Sequence, residues 1–90
     1  MRLLLLALVA LLTACTSDCE VSCQRVKDCV SSNLDVAACT TKCEAEADKS
    51  AEVAGRATDC ATCTKELACS DAIRSCTGKC ILVPGLDQTK

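Results

Sequence analysis

Eleven cysteines in a chain of 90 residues constrain the fold more than any other feature of the sequence. A cysteine content above about 8–10% in a short chain is typical of a scaffold held by disulfides. An odd number cannot pair completely within one chain, so one cysteine needs a different role. The last ten form two sets of five in matching order, C-x3-C-x5-C-x9-C-x3-C from Cys19 to Cys43 and C-x2-C-x5-C-x6-C-x3-C from Cys60 to Cys80. This pattern predicts that one structural unit occurs twice.

The spacing within each set predicts helices. Side chains three or four residues apart lie on one face of a helix, and four cysteine pairs have that spacing: Cys19/Cys23, Cys39/Cys43, Cys60/Cys63 and Cys76/Cys80. Helices are therefore expected at about 18–30, 35–54, 59–68 and 71–83. The expected caps are Ser32 or Asn33, Thr58 or Asp59, and Ser70, with Gly55 and Pro84 as stops. The predicted fold class is all-α: a small disulfide-stapled domain of two antiparallel helical hairpins.

The hairpin geometry suggests how the cysteines pair. Cysteines nearest the turn of an antiparallel hairpin face each other, and so do the outer ones. This predicts the bonds Cys23–Cys39, Cys19–Cys43, Cys63–Cys76 and Cys60–Cys80. Cys29 and Cys69 each lie six residues beyond an inner cysteine, about 240° further round the helix, so both point away from the partner helix and are expected to join the hairpins to each other. Other connectivities stay open, because spacing alone does not select one.

The N-terminus has the layout of an export signal. Met1 and Arg2 precede an apolar run from Leu3 to Leu12, which is shorter than the roughly 20 residues of a membrane-spanning helix. The alternative is an apolar core helix. Export places the cysteines in an oxidising compartment, where they form disulfides. The rest of the chain has few large aliphatic residues and no aromatic ones, so its small core needs such cross-links.

The stretch Leu12-Thr13-Ala14-Cys15 resembles the lipobox of bacterial lipoproteins. The resemblance implies cleavage between Ala14 and Cys15, a diacylglycerol thioether on the Cys15 sulfur, and attachment to a membrane through acyl chains. Residues 1–14 would then be the signal peptide, and 15–18 the anchor and a short tether. The alternatives are ordinary secretory cleavage, which Leu12 fits poorly, and Cys15 as a disulfide partner or free thiol. Setting Cys15 aside leaves ten cysteines, an even number.

Thr16 bears on localisation. In enterobacterial lipoproteins an Asp after the lipidated cysteine retains the protein at the inner membrane. Thr16 therefore favours the outer membrane within a lipid-anchored, cell-envelope location.

A second resemblance concerns Cys19-x3-Cys23 and Cys39-x3-Cys43. Their spacing resembles the twin CX3C hairpins of small chaperones of the mitochondrial intermembrane space, which implies a helical hairpin over these residues. Those chaperones have no lipobox, and they bind clients with aromatic and apolar residues that this chain lacks. The resemblance therefore extends to the hairpin and not to chaperone activity.

Few residues suggest catalysis. Cys60-x2-Cys63 has the spacing of a redox or metal-binding motif, but the βαβ context of thioredoxin-like proteins is missing and both sulfurs have predicted structural partners. The chain has no His, no Ser/His/Asp set, no glycine loop for a phosphate and no paired carboxylates in a pocket, so neither an enzyme nor a cofactor is expected. Metal binding by thiolates is an alternative, but export favours oxidised cysteines, so no metal site is expected. A net charge of −2, without aromatic residues or a basic run, argues against nucleic-acid binding.

The end of the chain leaves two interpretations open. Ile81, Leu82 and Val83, with Leu86, either fold back over the hairpins or form an exposed contact patch for a partner or the membrane. The cysteine-rich domain is expected to span 19–83, with a flexible tail at 84–90.

These observations predict a non-enzymatic, membrane-anchored bacterial envelope lipoprotein with a structural or partner-binding role, its protein partner unidentified. The alternatives are a toxin-like or antagonist scaffold and, third, a thiol redox or metal-buffering protein.

Overall fold

Four helices make up the domain in a computed structural model that describes residues 17–90. They are α1 (Asp18–Cys29), α2 (Val36–Lys49), α3 (Ala51–Thr64) and α4 (Cys69–Cys80). The structure is an all-α domain of four short helices stapled by five disulfides. The predicted signal peptide, Cys15 and Thr16 lie outside the described residues.

Side-chain caps define where three helices begin. The side-chain oxygens of Ser17, Asp35 and Ser50 accept hydrogen bonds from backbone N–H groups in the first turns of α1, α2 and α3, respectively. Each cap satisfies one of the four N–H groups that a helix leaves without a partner at its start. Helix α4 begins after Ala68, which has no side chain able to do this.

The boundary between the second and third helices differs from the prediction. The expected helix over 35–54 ends at Lys49, and α3 begins at Ala51 instead of near residue 59. Ser50 causes the break, because its backbone is extended and its side chain caps α3. Gly55 therefore lies inside α3, where an added Cβ would meet no atom within 4 Å. Gly55 is predicted to end the second helix, but that helix ends earlier because Ser50 caps α3.

The predicted caps also need correction. Asp35 caps α2 in place of Ser32 or Asn33. Thr58 and Asp59 lie inside α3, and Ser70 is the second residue of α4. The last helix ends at Cys80, four residues before Pro84, and the intervening residues form turns.

The helices form two hairpins that pack against each other. The first hairpin comprises α1 and α2, and the second comprises α3 and α4. Helix α1 packs against both α3 and α4, and α2 packs against α3, so both helices of the first hairpin contact the second. The buried Ser22 of α1 donates a hydrogen bond of 3.0 Å to the carbonyl oxygen of Ala57, which lets these helix backbones lie close together.

Half-cystines supply most of the core. One cluster of buried residues comprises Cys19, Cys43, Ala57, Cys60, Cys76, Cys80 and Val83, and a second comprises Cys23, Leu34 and Cys39. Leu86 packs against both clusters. Leu34 is the largest fully buried side chain among the described residues. The core is therefore mainly sulfur and small aliphatic groups, as the composition predicts.

The C-terminal segment was expected to be a flexible tail, but the structure places it against the first hairpin. The backbone N–H of Asp35 donates to the Gln88 carbonyl oxygen, and that of Lys90 donates to the Asn33 carbonyl oxygen, both at 2.8 Å. These bonds flank an isolated antiparallel bridge between Leu34 and Thr89. The α1–α2 loop has backbone groups without partners in the loop, and the C-terminal segment pairs with them. Because this contact joins residues far apart in sequence, local sequence patterns do not predict it.

Candidate functional site

The ten cysteines of the domain form five bonds. These are Cys19–Cys43, Cys23–Cys39, Cys60–Cys80, Cys63–Cys76 and Cys29–Cys69, with Cα separations of 4.7–6.0 Å. The pairs coincide with those expected from hairpin geometry, including the bond between the hairpins. Two bonds fasten the helices within each hairpin, and the fifth fastens α1 to α4.

The Cys60-x2-Cys63 motif does not form a bond with itself. Cys60 pairs with Cys80, and Cys63 pairs with Cys76. Both sulfurs are thus used in holding α3 to α4. Within residues 17–90, no group of three or more Cys, Asp or Glu side chains has an arrangement that would hold a metal ion.

An apolar groove of about 420 Å³ lies between the two hairpins. Its volume falls in the range of small-molecule sites, about 300–1,000 Å³. The C-terminal half of α1 and the exposed face of α4 form its two sides, with Thr64 and Leu86 at its edges. The lining residues are Arg25, Val26, Cys29, Val30, Ser31, Thr64, Ala72, Ile73, Cys76, Thr77, Cys80, Ile81 and Leu86.

Several large aliphatic side chains that line the groove are partly exposed to solvent. Val30 is 68% exposed, Ile73 is 45% exposed and Ile81 is 66% exposed. The sequence contains a helical spacing that predicts this surface, although the sequence analysis above did not use it. Val26 and Val30 are four residues apart, as are Ile73 and Thr77, so each pair lies on one face of its helix.

Arg25 is the one charged residue among those that line the groove. An Nη of its guanidinium donates a hydrogen bond to the Leu67 carbonyl oxygen in the α3–α4 loop. Its Nε is buried without a hydrogen-bond partner. An unpaired buried donor is unfavourable by about 1–3 kcal/mol, so this group would gain from an acceptor. Sequence reasoning did not single out Arg25, because an isolated arginine on a helix is normally a solvated surface residue.

The two threonine hydroxyls of the lining are already paired. The Thr64 hydroxyl donates to the Cys60 carbonyl oxygen at 2.9 Å, and the Thr77 hydroxyl donates to the Ile73 carbonyl oxygen. Both bonds lie within a helix, so each hydroxyl hydrogen is donated to the backbone of its own helix. The groove therefore presents mainly methyl and methylene groups, together with sulfur.

Some of the apolar residues near the C-terminus fold back over the hairpins, and others form an exposed patch. Val83 is buried and Leu86 packs against the core, as a segment that folds back should. Ile81 and Leu82 remain exposed, at 66% and 55%. Ile81 lines the groove, whereas Leu82 does not.

Comparison of the chain with protein-family models, with curated protein sequences and with solved structures finds no match. None of the helices described in residues 17–90 is both long and apolar enough to cross a membrane. The described residues form a disulfide-stapled four-helix domain with an apolar groove between its hairpins.

Proposed function

We propose that the protein is a bacterial envelope lipoprotein, cut between Ala14 and Cys15 and anchored through acyl chains on Cys15. The observation that carries the proposal is the division of the cysteines. The five bonds within residues 17–90 use ten of the eleven, and the remaining one ends the lipobox-like stretch that follows the apolar run. Two or three acyl chains suffice for stable membrane attachment.

The start of the folded domain is consistent with this role. Helix α1 begins at Asp18, and Ser17 caps it. The Ser17 hydroxyl also donates to a carboxylate oxygen of Glu44 at 2.8 Å, so Ser17 is itself part of the folded domain. A lipid on Cys15 would hold the domain close to the membrane surface. Thr16 favours the outer membrane over the inner.

The anchored domain acts as a binding module and not as an enzyme. It offers a surface for a ligand or partner on a scaffold whose helices are cross-linked, and such rigidity lowers the entropy lost on binding. The twin CX3C spacing of the first hairpin serves this scaffold, and we carry over no chaperone activity from it. The slightly acidic charge and the lack of a basic run argue against nucleic acid as the partner.

Intact mass under non-reducing conditions tests the proposal. Wild-type protein and Cys15→Ser are expressed in a bacterial host with an alkyne-labelled fatty acid. The wild type should lose residues 1–14, carry a lipid-sized mass excess, label with the fatty acid and sediment with membranes, while its domain lacks ten hydrogens because of five disulfides. Cys15→Ser should lose the lipid and the label. Unlabelled wild-type protein released into the medium would overturn the proposal and favour a secreted antagonist.

Sorting provides a second readout in an enterobacterial host. Thr16→Asp should move the protein from the outer to the inner membrane fraction, with Thr16→Ser as the matched control. An unchanged distribution of Thr16→Asp would contradict the outer-membrane assignment.

A further inference from the structure

We infer that the groove binds a long-chain fatty acid, with the acyl chain along the apolar walls and the carboxylate at Arg25. This ligand is separate from any lipid on Cys15, and the inference does not depend on membrane anchoring. Three features of the groove select this chemistry: its lining, its single charge and its rigidity.

The lining favours a hydrocarbon chain over a peptide. A peptide in the groove would bring backbone N–H and C=O groups that need partners, and burying them unpaired is unfavourable. The Thr64 and Thr77 hydroxyls already donate to their own helices, so they do not offer those hydrogens to a ligand. A methylene chain makes no such demand, and each buried CH₂ contributes about 0.8 kcal/mol. The exposed side chains of Val30, Ile73 and Ile81 are the surface it would cover.

Arg25 accounts for the head group. The guanidinium carries a permanent positive charge and presents its donors in a planar fork that matches a carboxylate. The Leu67 carbonyl oxygen engages one of the five guanidinium N–H groups, and the buried Nε does not face the groove, so the donor capacity for an anion lies in the remaining Nη hydrogens. Because no acidic side chain lines the groove, nothing there competes for this charge.

Disulfides hold the walls in position. The Cys29–Cys69 bond links the end of α1 to the start of α4, and the Cys63–Cys76 and Cys60–Cys80 bonds link α4 to α3. Cys29, Cys76 and Cys80 are themselves part of the lining. The site is therefore formed before the ligand arrives, and binding requires little ordering of the protein.

Photo-crosslinking locates the ligand directly. Purified, oxidised protein is illuminated with a palmitic acid analogue that carries a diazirine in mid-chain, and the modified peptides are mapped by mass spectrometry. We expect modification at the end of α1 around Val30 and along α4 from Ile73 to Ile81, and unlabelled palmitate should suppress it. Modification confined to other surfaces would overturn the inference. So would modification of Cys15→Ser but not of wild type, because the groove would then hold the protein's own anchor.

Two neighbouring residues provide a matched pair for affinity. Ile81 and Leu82 are adjacent, similar in size and both more than half exposed, but only Ile81 lines the groove. Ile81→Gln should weaken palmitate binding about fivefold, since it removes apolar contact with the chain. Leu82→Gln should leave it unchanged. Equal effects of the two substitutions would indicate non-specific adsorption and would contradict a site in the groove.

The head group is tested by changing the ligand as well as the protein. Arg25→Gln should weaken binding of palmitate about tenfold and leave binding of methyl palmitate unchanged, because only the acid offers a charged acceptor. Arg25→Lys should restore part of the palmitate affinity. If Arg25→Gln weakened both ligands equally, Arg25 would be shaping the groove and the carboxylate assignment would be wrong. Thermal unfolding of each variant verifies that the fold is retained.

Discussion

The two hairpins have nested disulfides in the same arrangement but differ in how well they are covered. In the first hairpin, Leu34 is fully buried beneath the C-terminal segment, which pairs with the α1–α2 loop through backbone hydrogen bonds. In the second, Ile73 remains exposed on α4 and faces the groove. Two similar frameworks thus differ at their surfaces: the C-terminal segment pairs with the loop of the first hairpin, whereas α4 of the second keeps an exposed aliphatic side chain.

This difference in surface exposure shows which parts of the domain the disulfides stabilise without help from a covered apolar face. Disulfides hold each hairpin whether or not its face is covered, so the second hairpin can leave apolar surface open without unfolding. In a small domain without cross-links, such an open face would remove burial that the fold needs. We therefore regard the covered loop end of the first hairpin as structural, and the open surface between α1 and α4, which both hairpins line, as the proposed binding surface.

Separating the hairpins should have one of the two largest effects, together with emptying the core of the first hairpin. Replacing Cys29 and Cys69 together by Ser removes the bond that joins them, which spans 40 residues of sequence. We expect the free energy of unfolding in urea to fall by roughly 3–4 kcal/mol, because the unfolded chain gains conformational freedom. Each hairpin should keep its own disulfides. An unchanged midpoint would mean that contacts between α1 and the second hairpin suffice to join the halves.

Shortening one side chain in each hairpin tests the contrast between closed and open faces. Leu34→Ala should lower the free energy of unfolding by about 2–5 kcal/mol, since it leaves a cavity at a fully buried site. Ile73→Ala should lower it by about 1 kcal/mol or less, because that side chain is 45% exposed. Chemical unfolding of both variants measures the difference. Comparable losses would show that the face of α4 is not open.

The docked C-terminal segment depends on a glycine. Gly85 has a φ of +100°, and an added Cβ would lie 2.5 Å from the Cys39 carbonyl oxygen. Gly85→Ala should therefore destabilise the protein by roughly 1–3 kcal/mol and increase amide exchange at Asp35 and Lys90. Gly78→Ala is the control, since Gly78 lies within α4 with open space around it and should gain about 0.5–1 kcal/mol.

Helix α4 lacks the side-chain cap that the other three helices have, and supplying one should stabilise the second hairpin. Ala68 is exposed and has the extended backbone of a capping residue. Ala68→Ser should raise the free energy of unfolding by about 1 kcal/mol, and Ser50→Ala should lower it by a similar amount at the start of α3. No gain from Ala68→Ser would indicate that the first turn of α4 is already satisfied by other groups.

The smallest expected effect concerns pH at the closed hairpin. Hydrogen bonds from the Gln88 side chain and the backbone, together with the positive charge of Lys42, lower the pKa of Asp87 below its ordinary value of 3.8. The Lys42 Nζ lies 3.6 Å from an Asp87 carboxylate oxygen. A lowered pKa stabilises the fold above pH 3.8, and this contribution disappears as the pH falls through the folded-state value.

Asp87→Asn should accordingly lower the melting temperature slightly near neutral pH and have no effect at about pH 2. Lys42→Gln, which removes the partner charge, should reproduce part of the change. A difference between Asp87→Asn and wild type that is the same at both pH values would contradict the assignment to the ionised carboxylate.

Much of the framework follows from the cysteine spacing, because helical periodicity is local. A separation of three or four residues places Cys19 with Cys23, and Cys76 with Cys80, on one face wherever the helix sits. The six-residue step turns Cys29 away from that face within α1, but α3 ends at Thr64, so Cys69 lies at the start of α4 and its direction is set by the α3–α4 loop. Helical pitch together with the expected antiparallel hairpins favoured the five pairs that the structure contains, although spacing alone left other connectivities open.

Tertiary structure alone decided the break at Ser50, the docking of residues 84–90 and the groove. Ser50 and Gly55 both carry local signals for a helix end, and the choice between them depends on packing against the other helices. The C-terminal segment has no periodic pattern, and it is held by backbone groups of a loop some 50 residues earlier in the chain, which makes its position invisible to local reasoning. The groove lies between α1 and α4, which brings Arg25 and Ile73, distant in sequence, to face the same space.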